Sequence, residues 1–206
     1  MWIFPLGSAD ARVWTPIFFL GSNGAAGVED KLEAMARDCL GFAAVWIAVP
    51  TGGEADEQAV LTAWAEAGKR YALTPKAYVY GSGRGAGLAQ RFTMRHPDRV
   101  HGCAVYNAKY WAEREVTERI EAGPEGRPGS DEPGVLAAVP WLVGCGVDTA
   151  TQGAAERFQI ALAEAGCRVD YLDWMQGDED TAESDGVPSN AMRNALRFFA
   201  ECRAAG

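Results

Sequence analysis

Glycines at alternate positions, Gly81, Gly83, Gly85 and Gly87, punctuate the stretch YVYGSGRGAGLAQRF at residues 78–92, with Ser82 and Arg84 between them. The aromatic and β-branched run before Gly81 reads as a strand. The residues after Gly85 read as a helix that Pro97 ends. A strand that turns this sharply into a helix needs glycine where the backbone bends and where helix and strand touch. Such a corner presents one side chain at its tip, beside the unpaired N–H groups of the first helical turn. A hydroxyl or thiol at that tip, with a base to take its proton, would be a nucleophile. With Gly81 and Gly85 as the flanking glycines, Ser82 falls in the arm of the corner and Gly83 at its tip. Glycine has no atom with which to attack. Ser82 reaches the tip only in a register that asks for glycine at 80 and 84, where Tyr80 and Arg84 stand.

Two histidines are available as bases, His96 and His101. His96, in RHPDRV, closes the helix after the corner, and His101 begins the next strand. Both belong to the end of the sheet away from the corner and read as structural or surface residues. Carboxylates are plentiful instead. Asp148 follows a strand in GCGVDTAT, and Asp178, Glu179, Asp180, Glu183 and Asp185 crowd the segment after the last strand. A carboxylate acts as a base near neutral pH only if its pKa is strongly raised. Convergence of Asp148 and Asp180 would make a paired-carboxylate site able to split their pKa values, or to hold a cation. The acidic run lacks the spacing of a twelve-residue calcium loop and reads as a solvated loop.

These stretches together carry a resemblance. YVYGSGRGAGLAQRFTMRHPDRVHGCAVYNAKYW is similar to the nucleophile-elbow region of α/β-hydrolases, especially the compact esterase, polyhydroxyalkanoate-depolymerase and dienelactone-hydrolase branches. PIFFLGSNG resembles the oxyanion segment of that family, and PWLVGCGVDTAT its acid turn. The resemblance covers most of the chain. It implies that Gly83 stands at the nucleophile position, Asp148 at the acid position and Asp180 at the histidine position, with Glu179 one residue away. It also implies that backbone N–H groups of Gly21–Ser22 and of Arg84 face the crevice as oxyanion donors. Leu20 stands where the family has histidine. Arg84 is a candidate partner for Asp148, equally readable as a free surface residue.

The elements that must position these residues follow from hydrophobic periodicity. Strands are expected at 13–21, 42–50, 76–83, 100–108, 139–148 and 167–175, with a further edge strand within 1–8. Helices are expected at 28–39, 55–70, 85–97, 154–166 and 190–202. Near-continuous apolar strands alternating with helices specify an α/β chain, a three-layer sandwich with a mostly parallel sheet of six to seven strands. The ligand crevice then lies beyond the carboxyl ends of the strands. A single domain over 1–206 is expected, with a lid-like excursion at 109–138, an amphipathic helix followed by PEGRPGSDEPG. That excursion reads equally as an ordinary surface loop. Tyr106, Tyr110, Trp111 and Trp174 could wall an apolar pocket or pack the core.

Composition narrows the partners. A net charge of −9 and a pI near 4.8 argue against nucleic acid and anionic membranes. The five scattered cysteines read as free thiols in a reducing cytoplasm, with no zinc spacing among them. No signal peptide, membrane span, metal or cofactor is implied, and the glycine spacing is not that of a dinucleotide fingerprint. Two readings result. One is a binding protein that keeps the crevice for a small carbonyl-bearing or apolar ligand, or for a protein partner. The other is an enzyme, either a weak esterase using Ser82 or an acid–base catalyst using Asp148 and Asp180. A homo-oligomer stays open.

Overall fold

The computed structural model describes residues 1–6, 11–21, 29–50, 57–107, 135–145, 149–173 and 190–205. Its apolar runs form seven strands in one sheet. These are β1 (Trp2–Leu6), β2 (Thr15–Gly21), β3 (Ala44–Pro50), β4 (Ala77–Ser82), β5 (Val100–Tyr106), β6 (Trp141–Cys145) and β7 (Val169–Asp173). Spatial order is β1-β3-β2-β4-β5-β6-β7. Only β1 runs antiparallel, pairing Trp2 through Leu6 with Ala48 back to Ala44. All the other pairs are parallel.

Among the described residues five helices cover the sheet: α1 (Glu29–Cys39), α2 (Glu57–Gly68), α3 (Arg84–Arg95), α4 (Thr149–Glu164) and α5 (Asn190–Ala205). Strand side chains alternate between the faces, so each strand feeds two cores. Phe18, Leu20, Val45, Ile47, Val79, Val105 and Val143 pack with α2, α3 and α4. Ile17, Phe19, Trp46, Tyr78, Tyr80 and Leu142 pack with α1 and α5. Fully burying one such aromatic or branched side chain contributes about 1.5–3 kcal/mol, which makes these two layers the main source of stability.

The expected layered α/β architecture and the edge strand within 1–8 are both present, and that edge strand pairs antiparallel. One helix starts earlier than expected, at Thr149 rather than 154, and α5 continues to Ala205 rather than 202. Most of the expected excursion, residues 109–134, lies outside the described residues, and 135–138 form a short 3₁₀ turn. The chain leaves β2 for β3 on one side and returns to place β4 on the other. Strand order therefore reverses between β2 and β4, and a crevice opens at such a reversal.

Candidate functional site

Both strands at the reversal end in glycine-bearing turns. β2 stops at Gly21, and β4 passes through Ser82 into Gly83. Gly83 is the N-cap of α3 with φ 52° and ψ −117°, a conformation L side chains rarely adopt. It is therefore the point at which the chain reverses. Ser82 remains a strand residue, paired with Tyr106 of β5. In the described backbone Ser82 is thus the last residue of β4 and Gly83 the N-cap of α3.

The flanking glycines are there because nothing larger fits. A Cβ on Gly81 would lie 2.5 Å from the Gly85 carbonyl oxygen and 2.7 Å from the Ala89 Cβ. One on Gly85 would lie 1.8 Å from the Leu20 carbonyl oxygen and 3.0 Å from the Gly21 nitrogen. The start of α3 is thus pressed onto the end of β2, which brings Gly21 beside the corner. At Gly83 the situation is the reverse: among the described residues no heavy atom comes within 4 Å of an added Cβ. Gly83 itself is exposed among the described residues.

Hydrogen bonding fixes which donors face that space. The Gly83 N–H donates to the Tyr106 carbonyl (3.0 Å), so the sheet ladder extends to the tip and occupies that group. Among the described residues no side chain caps the first turn of α3. Its remaining N–H groups, beginning with that of Arg84, lack intrahelical partners and favour an acceptor oxygen. The Arg84 side chain, Ser22, Tyr110, Trp111, Asp148, Glu179 and Asp180 lie outside what is described. So does Trp174.

Both imidazoles sit far from the tip. His96 caps the far end of α3, a helix of twelve residues and hence ~18 Å long. There it packs on Phe92 with the rings tilted (4.9 Å between ring centres) and approaches Glu57 at 3.6 Å. Glu57 also pairs with Arg95, so one carboxylate ties the start of α2 to the end of α3. His101, near the amino end of β5, packs on Tyr78 at 5.4 Å. Burial first, then the positive charges of Lys76 and Arg203, pull its pKa below the ordinary histidine value. Neither histidine can orient on a group at Gly83.

The thiols offer no substitute. Burial pushes Cys103, wholly enclosed beneath α3, up to about 12. Cys167 and Cys202 are pushed up to about 11, again chiefly by burial. Such groups stay protonated at neutral pH and are poor nucleophiles. Cys145 ends β6, two strands away from β4, with its sulfur 3.3 Å from the Tyr171 hydroxyl. Among the described residues no three metal-ligating side chains cluster.

One residue at this rim belongs to the strand-end stretch 107–110 that the sequence places at the crevice, though the sequence gives it no role of its own. Asn107, directly after β5, has φ 52°, the only positive φ at a non-glycine position among the described residues. Its N–H donates to the Gly144 carbonyl (3.1 Å). Tyr106 beside it needs Gly144 to stay bare, because a Cβ there would sit 2.7 Å from the Tyr106 ring.

The same layered sheet recurs in solved esterases. A ferulic acid esterase superposes with a TM-score of 0.66 at 16% identity, covering 93% of this chain and 85% of that one. The chain has an α/β-hydrolase-like fold. The enterobactin esterase of Shigella flexneri, solved in the presence of enterobactin, superposes at 0.72 with 14% identity over 97% of this chain. This hydrolase-like chain spans about half of that protein, 55% of its length. A structure from a study of carboxylesterases of the thaumarchaeon Nitrososphaera gargenis matches at 0.59 and 12% identity, covering 100% of this chain and 96% of that one. No family model matches the sequence, and no curated protein matches it. At such identities the likeness concerns the fold. No helix among the described residues is long and apolar enough to cross a membrane.

Proposed function

We propose that this α/β-hydrolase-like chain binds a small carbonyl-bearing or apolar ligand at the β2/β4 crevice without serine-hydrolase catalysis. The observation that carries this reading is Gly83 at the turning point of the corner, with φ 52° and no heavy atom of the described residues within 4 Å of an added Cβ. Acyl transfer at such a corner needs an oxygen or sulfur at the tip and an imidazole in reach. The tip has neither, and the two histidines of the chain stand at the opposite end of the sheet. What persists is a recognition device: an uncapped helix start beside Gly21, suited to a carbonyl or carboxylate oxygen. A protein partner inserting an apolar or carbonyl-bearing group would use the same features.

The esterase names of the structural neighbours favour one competing reading, residual ester hydrolysis through Ser82. A third reading puts acid–base chemistry on Asp148 and Asp180. A fluorophosphonate label and a p-nitrophenyl acetate assay separate these. The binding reading expects no labelling and no turnover above background. Labelling that disappears in Ser82→Ala would overturn it. The double variant Gly83→Ser with Asp180→His is expected to gain esterase activity if Asp180 stands at the histidine position.

A further inference from the structure

We propose that Lys76, His101 and Arg203 form a binding site for a small tetrahedral dianion, a phosphate or sulfate group, at the amino end of the sheet. The site lies away from the Gly83 corner and stands or falls independently of the crevice reading above.

A break in the β4/β5 ladder puts the imidazole there. Ala77 pairs with Val100 and Tyr78 with Gly102, so His101 is an extra residue in β5. A bulge of this kind sets two residues of one strand against one of its partner and re-aims a side chain. The His101 ring lies against Tyr78 (5.4 Å between ring centres), and a Cβ on Gly102 would also touch that ring at 3.4 Å. Tyr78 belongs to the core beneath α1 and α5. The bulge thus turns His101 toward that layer, where it stays partly exposed.

Two permanent cations reach the same place. Arg203, in the last turn of α5, lies over the Phe42 ring (5.8 Å), and Phe42 packs on Tyr78 (5.8 Å). Lys76 directly precedes β4. After burial, the charges of these two hold the His101 pKa below its ordinary value. Burial also keeps the neighbouring Tyr78 hydroxyl protonated, its pKa pushed up to about 12. Among the described residues no carboxylate pairs with Lys76, His101 or Arg203, while Glu201 of α5 and Asp170 of β7 pair with Arg168 instead. In a chain of net charge −9, this is a cationic patch without a counter-ion. A dianion supplies the missing charge. Lysine and arginine donate charge-assisted hydrogen bonds to its oxygens. The imidazole takes up a proton as the anion arrives, because a nearby negative charge favours its charged form.

The chain has only two histidines, so each reports separately in proton NMR. His96 packs on Phe92, in the other core layer, and serves as the internal control. His101→Gln assigns the two signals. The probes are sodium sulfate, sodium phosphate and glycerol 1-phosphate, with sodium chloride at matched ionic strength as the reference. Sulfate keeps its charge while pH is varied, so a change in the His101 titration belongs to the protein. The expected result is a saturable shift of the His101 signals and an upward move of its pKa, with His96 unmoved. Lys76→Ala and Arg203→Ala should each bind about tenfold more weakly, the worth of one hydrogen bond to a charged group. Thermal melts in chloride check that both variants are folded. Tighter binding of glycerol 1-phosphate than of phosphate would assign the site to a phosphate monoester, and equal binding to the free anion. Absence of a saturable shift, a response that chloride reproduces or His96 shares, or binding that survives both alanine substitutions would overturn the site.

Discussion

Gly83 and Gly85 stand two residues apart and should respond very differently to one methyl group. At Gly85 the methyl meets the backbone of Leu20 and Gly21, which cannot turn aside as a side chain could. Gly85→Ala must push α3 off β2, and overpacking of this kind typically costs 1–3 kcal/mol, roughly the upper end or beyond here. At Gly83 the methyl meets no heavy atom of the described residues within 4 Å, and its positive φ costs about 1–2 kcal/mol. Urea melts of the two variants should rank Gly85→Ala as much the less stable, with Gly83→Ala still folded. Equal losses would contradict the packing described. The sequence made this pair legible because steric demand leaves glycine as its signature. Asn107 left no such signature, since asparagine occurs freely in turns and loops and only the backbone angle singles it out.

Among the elements, α3 carries the corner, and Phe92 anchors it. The Phe92 ring is buried against Phe18 of β2 (6.4 Å), which in turn packs on Trp64 of α2 (5.3 Å). Three elements thus share one aromatic cluster. Phe92→Ala should cost about 3–5 kcal/mol, read as a lower urea midpoint with an unchanged slope. A loss below 1 kcal/mol would mean that the cluster does not hold α3 in place. Strand and helix identities were legible because the runs at β2, β3 and β4 are apolar and the helices repeat at 3.6 residues. Boundaries were less so. The early start of α4 was hidden by Gly153, since a helical glycine costs about 1 kcal/mol relative to alanine and so reads as a breaker. Asp148 and Asp180 remain readings from the sequence, outside the described residues.

At the scale of the whole molecule, the amino edge of the sheet contains a group that links stability to pH. His101 is packed on Tyr78 near Lys76 and Arg203, and its folded-state pKa lies below its ordinary 6.5. The unfolded chain therefore takes up the proton first as pH falls. Stability from this group is full above about pH 7 and is lost as pH drops through the unfolded value of about 6.5 toward the lower folded one. The wild type should lose more melting temperature than His101→Gln between pH 7.5 and 5.5. A parallel decline in both proteins would remove His101 from that role.

The tight contacts at Gly81 and Gly85 also decouple architecture from reactivity. Packing between α3, β2 and β4 sets the bend, while an added Cβ at position 83 meets no heavy atom of the described residues within 4 Å. On the reading proposed above, the molecule is in effect a mounting point with nothing mounted on it. A saturation library at position 83, or a reactive unnatural amino acid placed there, would display each new head group at one defined spot on an unaltered frame.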